Sequence, residues 1–126
     1  MVLTQDLQSS AYRSGDEYAW KRDDAFRAIE SLTTAGLAIL GGEVWLIAGD
    51  DIVPIIPQKD GVPALEHWTC ERHGGEEWRA YVFRSATEAR SAIQRLPDLT
   101  SAAVPTHACI YYNITWTAEA EQRHAG

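Results

Sequence analysis

The sequence predicts an α+β domain, a mostly antiparallel sheet of about four strands with two helices packed on one face, in the order α-β-β-(β)-α-β. Three observations predict it. Two segments, one beginning near Lys21 and one near Glu76, carry apolar residues at three- and four-residue spacing. Between them, "LAILGGEVWLIAGDDIVPIIP" is rich in β-branched and aromatic residues and is cut by Gly41-Gly42 and by Gly49-Asp50-Asp51. Near the end, "HACIYYNITW" alternates Ala108, Ile110, Tyr112, Ile114 and Trp116 against His107, Cys109, Tyr111, Asn113 and Thr115.

The first helix is expected from Lys21 to Ala35, where Ala25, Phe26, Ile29 and Leu32 share one face. Asp23 and Asp24 fall in its first turn, where the helix dipole favours negative charge, and Gly36 is placed to end it in a left-handed conformation. In the strand-rich stretch that follows, Gly41-Gly42 fits either a two-residue hairpin turn or a bulge in one bent strand. In "EVWLIA" neither parity is polar throughout, which places that strand centrally with both faces covered. Pro54 and Pro57 lack the N–H that a ladder needs, so Ile52 to Ile56 belongs at an edge or at the exit from the sheet. Pro57 to Gly75 reads as a loop with a short strand around Glu66 to Cys70.

The second helix is expected from Glu76 to Leu96, with Trp78, Val82, Ala86, Ala89, Ile93 and Leu96 on one stripe and Pro97 as its stop. Ser85 and Glu88 match a capping box, so a break there is one reading. The alternating segment at 107–116 then makes a last strand with one buried face. The whole chain, 1–126, reads as a single domain with loosely ordered ends at 1–15 and 118–126.

Eighteen acids against eleven Lys and Arg give a formal charge of −7 with His neutral. No basic patch interrupts that balance, so nucleic acid is not an expected partner. The N-terminus "MVLTQDLQSS" lacks a positive start and an apolar core, and no run approaches a membrane span, which together point to a cytoplasmic protein with no membrane partner. With only Cys70 and Cys109, no disulfide framework is implied, and both are expected as thiols.

The chemically richest stretch is "WTCERHGGEEW", residues 68–78. His67, Cys70 and His73 stand at three-residue intervals, yet a four-coordinate metal site needs a fourth ligand, and the paired CxxC or HxxxH signatures are missing. No metal or cofactor is expected. As a nucleophile, Cys70 would need a cationic or basic neighbour such as His73 or the distant His107. Glu66, Glu71, Glu76 and Glu77 instead crowd it with negative charge and raise the cost of a thiolate. The adjacent acids Asp23-Asp24, Asp50-Asp51 and Glu76-Glu77 are explained by helix starts and a turn, and no phosphate-binding loop is present. Trp45, Trp78 and Trp116 fall on core stripes, whereas Trp20 and Trp68 sit at an element boundary and in a loop beside acids.

Two stretches, "EYAWKRDDAFRAIESLTTAGLAILGGEVW" and "HWTCERHGGEEWRAYVFRSATEARSAI", resemble the immunity protein 40 family of bacterial polymorphic toxin systems across Glu17 to Ile93. The proline-bearing segment from Pro54 to Pro63 departs from the family's pattern. The resemblance implies a non-enzymatic antidote, encoded beside its toxin, that binds the cognate toxin domain and blocks it. The expected contact surface joins Asp16, Glu17 and Trp20, read as a helix start, to Glu66, Trp68, Glu71, Glu76 and Glu77. In it the tryptophans act as desolvated anchors, and the acids steer and accept hydrogen bonds from Lys or Arg. Two alternatives stand beside this one: a small enzyme or metal-dependent module using Cys70, His73 and His107, and a ligand-binding or scaffolding domain using an open sheet face.

Overall fold

A computed structural model of the chain describes residues 3–48, 51–54, 58–59, 62–63, 67–95 and 109–120. The chain runs α1 (Gln5–Ser10), β1 (Tyr12–Ser14), β2 (Glu17–Trp20), α2 (Arg22–Thr34), β3 (Ala38–Ala48), β4 (Asp51–Pro54), β5 (Gln58–Lys59), β6 (Val62–Pro63), β7 (His67–Thr69), α3 (Trp78–Arg95) and β8 (Cys109–Thr117). The α+β class and the antiparallel sheet are as the sequence predicts. The main sheet has six strands, β1-β2-β8-β3-β4 with β7 also on β3, and every pairing is antiparallel. Strands β5 and β6 pair separately.

Both predicted helices form. Helix α2 ends where Gly36 takes φ 79, with the Gly36 N–H on Thr33 O and the Leu37 N–H on Leu32 O. That reciprocal pair is the Schellman arrangement, and Leu37 follows it into the core. Helix α3 runs unbroken through Ser85, so the capping-box break does not occur. The reason is tertiary: Ser85 is buried, its hydroxyl donates to Val82 O at 3.0 Å, and its oxygen accepts from the Ile39 N–H at 2.9 Å.

The Gly41-Gly42 pair is a bulge, not a hairpin turn. Strand β3 is continuous, and its register on β8 shifts between Ile39, opposite Trp116, and Gly41, opposite Thr115. One extra residue reverses the parity of everything before it, which lets Ile39 join Val44 in the core beneath the helices. The backbone groups freed by the bulge are taken up locally, the Ile39 N–H by Ser85 and the Leu40 carbonyl by the Cys70 N–H at 2.8 Å. Strand β4 lies at the end of the sheet, where Pro54 costs no interior ladder bond.

The segment read as a loose N-terminus is built into the fold. Thr4 caps α1 by accepting the Leu7 N–H, Leu3 and Leu7 are core residues, and the Trp20 indole donates to Leu7 O at 2.8 Å. A short helix of six residues has little stability in isolation and gains it here from packing on α2. Residues 14–17, where the hairpin of β1 and β2 turns, bring Gly15 to φ 60. Asp16 to Trp20 is thus a hairpin turn and a strand, not the start of a helix.

One core lies between the helices and the sheet: Leu7, Trp20, Ile29, Leu32, Ile93 and Ile114 are among its buried members. A smaller cluster lies on the other side of the sheet, where Ala19, Trp45 and Ile47 pack with Tyr12 and Tyr111. Trp45 sits edge-on to Tyr12 at 6.4 Å between ring centroids.

Candidate functional site

The eight residues expected at the contact surface fall into four groups. Asp16 and Glu17 are exposed at the β1–β2 turn, and Glu71 and Glu77 are exposed on the loop before α3. Glu76 is present on that loop and committed to an ion pair. Glu66 lies outside the described residues, as does His107.

Trp20 and Trp68 are core residues, 0% and 8% exposed, and the role of surface anchor is corrected for both. Trp20 alternates inward on β2 and stacks on Tyr18 at 5.8 Å, and Trp68 lies over the backbone of Gly42. Among the described residues the buried Trp68 indole N–H has no hydrogen-bond partner, a burden of roughly 1–3 kcal/mol that the ring's packing has to offset. Exposed aromatic surface occurs elsewhere: Phe83 is 54% exposed and shares an open groove with Trp78, Arg79 and the end of α2.

The loop between β7 and α3 is held by one arginine. Arg84 grips Glu76 with two parallel bonds, Nε to Oε2 and Nη2 to Oε1, each 2.8 Å. Its other contacts go to Glu88 Oε2 at 2.8 Å, to Glu71 O at 2.7 Å and to Cys70 Sγ at 3.3 Å. Glu76 reaches back to accept the His73 N–H, Gly75 turns the chain at φ 78, and Arg72 donates twice to Glu76 O while lying over the Trp78 ring. The Arg84 guanidinium holds the Glu76 carboxyl well below its ordinary range, at about 2. The helix therefore starts at Trp78 and not at Glu76, because Glu76 is drawn to Arg84.

The same arrangement decides the chemistry of Cys70. Burial, then the hydrogen bond to Glu88 at 2.6 Å, pushes its thiol up to about 12, with Arg84 only partly opposing. The folded state then binds more protons than the unfolded chain between pH 9.0 and about 12, so stability falls as pH rises through that window. A thiol held in this way is a poor nucleophile. In the native protein a thiol reagent is expected to label exposed Cys109 and spare Cys70 until denaturant is added; rapid labelling of both would show that the loop is open. Among the described residues no group of three or more His, Cys, Asp or Glu side chains is placed to hold a metal.

Glu17 and strand β7 line one groove, with β8 and β3 between them. On the sheet face away from the helices, Glu17, Glu43, His67, Thr69, Asn113 and Thr115 line a groove of about 330 Å³ whose floor is the backbone of Gly41 and Gly42. Leu40 and Thr69 also line the adjoining depression that holds Cys70, Glu71 and Arg72. Glu17 and Glu71 thus line two adjoining depressions that share Leu40 and Thr69. Sequence reasoning missed Glu43 as part of the groove. Alternation along β3 was the available signal, since Glu43 shares parity with Trp45 on the face away from the helices.

No described helix is long and apolar enough to cross a membrane. Comparison with curated proteins and with solved structures gives no match. The sequence model of the immunity protein 40 family matches residues 6–115. That span takes in most of α1 and of β8, elements that lie beyond the stretches carrying the resemblance and that complete the core and the central strand pair. With the match covering most of its length, the chain belongs to the immunity protein 40 family.

Proposed function

We propose that this protein is a non-enzymatic cytoplasmic immunity protein that binds a cognate toxin domain and neutralises it by occlusion. Family membership is the observation that carries the reading. The surface supports it: Asp16 and Glu17 remain exposed at the β1–β2 turn, and Glu71 and Glu77 remain exposed on the loop that Arg84 fixes, so that second pair is offered from a rigid frame. Preorganised charge of this kind steers an oppositely charged partner and loses little entropy on contact. The neutral, buried Cys70 gives the enzymatic alternative no activated nucleophile.

The test is co-expression with the product of the adjacent gene, scored by survival and by co-purification. Protection is expected from the wild-type chain. Alanine at Asp16, Glu17, Glu71 and Glu77 together should slow association and flatten its salt dependence. Protection that survives loss of all four acids would move the contact surface elsewhere, and turnover of a small molecule by the pure protein would overturn the non-enzymatic reading.

A further inference from the structure

We infer that the groove floored by Gly41 and Gly42 receives a cationic side chain, Lys or Arg, of the toxin domain, held between Glu17 and Glu43; the inference rests on the immunity reading. Its first support is charge. Among the described residues two carboxylates line the groove and no Lys or Arg does, in a chain whose formal charge is −7. Its second support is independent and concerns the direction of the hydrogen bonds. The Thr115 hydroxyl donates to Gly41 O at 3.2 Å, and the Asn113 amide nitrogen donates to Tyr18 O at 2.9 Å. Thr115 therefore faces an incoming group as an acceptor. Glu43 accepts the Trp45 indole N–H through Oε1 at 2.7 Å, which orients the carboxylate and leaves Oε2 for a second donor. Beside the His67 ring and the Thr69 hydroxyl, which can donate as well as accept, the groove offers two carboxylates and the Thr115 oxygen, a set that fits a group that only donates, which among side chains means ammonium or guanidinium.

Shape agrees with this. Gly41 and Gly42 put backbone on the floor beside Trp68, and a volume of about 330 Å³ admits the end of a long basic residue and its stem. The groove is open to solvent and shares Leu40 and Thr69 with the depression beside Glu71. A side chain carried on a larger surface fits that geometry better than a free small molecule, which needs enclosure. Glu43 becomes a specificity residue under this arrangement, and Trp45 positions it.

The experiment uses the full chain and a catalytically inactive variant of the toxin domain encoded by the adjacent gene. Glu17→Gln with Glu43→Gln removes both charges and keeps the acceptor that Trp45 needs. It is expected to weaken binding at least about tenfold and to make the salt dependence shallower. A charge-matched control, Asp23→Asn with Glu30→Gln on exposed positions of α2, should bind like wild type. Thr69→Lys, which places a competing ammonium on the groove wall of an exposed strand position, should weaken binding similarly and guards against loss of fold in the double variant. Binding by the double variant or by Thr69→Lys within about twofold of wild type overturns the groove while leaving the immunity reading intact. An equal loss in the α2 control also overturns it, since net charge alone would then be the cause. Failure of the wild-type chain to bind or protect removes the immunity reading and the groove with it.

Discussion

Replacing Gly42 with alanine is expected to cost about 3 kcal/mol or more and to loosen the central pairing of β3 with β8. A Cβ at this position would run into the Asn113 backbone oxygen and would stand 2.5 Å from Cη2 of Trp68. The first clash is with main chain in the neighbouring strand, so no rotamer change relieves it. The second is with a buried ring that is itself packed in the core. Gly41 is constrained in a different way: it lies at φ 153, and a Cβ there would meet the Trp68 carbonyl and stand 3.0 Å from the Thr69 Cα. The pair thus allows β7 and β8 to approach β3 from both sides at one point, which fixes the floor of the acidic groove. Urea denaturation of Gly42→Ala would read the effect as a lower midpoint. A midpoint within experimental scatter of wild type would mean that the strands are further apart than this geometry requires. Gly36→Ala is a useful contrast, because a Cβ there meets nothing within 4 Å and only the left-handed φ of 79 opposes it. Its cost should be about 1 kcal/mol.

The elements that were legible in the sequence were the ones with long periodic signals. Helix α2 announced both ends through its first-turn acids and Gly36, and β8 announced its buried face by alternation. The misread positions have specific physical causes. At Tyr12 to Trp20, "SGDE" between two short aromatic runs is a hairpin signal, with Gly-Asp as its two-residue turn, but each strand spans only three or four residues and gives almost no periodicity. The N-terminal helix has only six residues, and only contact with Trp20 and α2 reveals why it forms. Ser85 with Glu88 matched a capping box because the motif is local, whereas its actual partner, the Ile39 N–H, is 46 residues away.

The site was partly legible for the same reason. Acids at Asp16, Glu17, Glu71 and Glu77 are exposed as expected of charged residues near turns. Trp20 and Trp68 looked available because they flank turn-like stretches, yet each occupies the inward parity of a short strand. Phe83 could have been found: it falls off the stripe formed by Trp78, Val82, Ala86, Ala89 and Ile93, and an aromatic outside its helix's apolar stripe faces water. Glu76 could not, because nothing in the order of residues says that it pairs with Arg84 rather than serving the helix dipole.

Arg84→Met is expected to give the largest effect of any single change at a charged position, because it removes five hydrogen bonds at once, four of them to the loop that carries Glu71 and Glu77 and one to Glu88 on α3. The side chain is 27% exposed and its partner Glu76 only 12%, so water makes up part of the loss for the arginine's neighbours at the surface but little of it for Glu76. A fall in thermal midpoint of roughly 5 °C or more is the expected scale for a domain of this size. The clearer signature is acidic. Glu76 drops from its ordinary 4.5 to about 2 on folding, so below 4.5 the unfolded chain binds protons that the folded chain refuses. The stabilisation from this pair is therefore complete above pH 4.5, declines as pH falls, and is gone once pH passes through about 2. Wild type should lose stability steeply across that window and Arg84→Met should lose less, so the two curves converge toward low pH. Arg84→Lys separates charge from geometry, since an ammonium keeps the attraction but cannot make the two parallel bonds to Glu76. It should recover part of the acid dependence and less of the thermal midpoint. Parallel acid profiles for wild type and Arg84→Met would show that the clamp contributes nothing to the folded state. The exposed acids would then stand on a loop with no rigid support, and the steering argument for the toxin-facing surface would lose its structural basis.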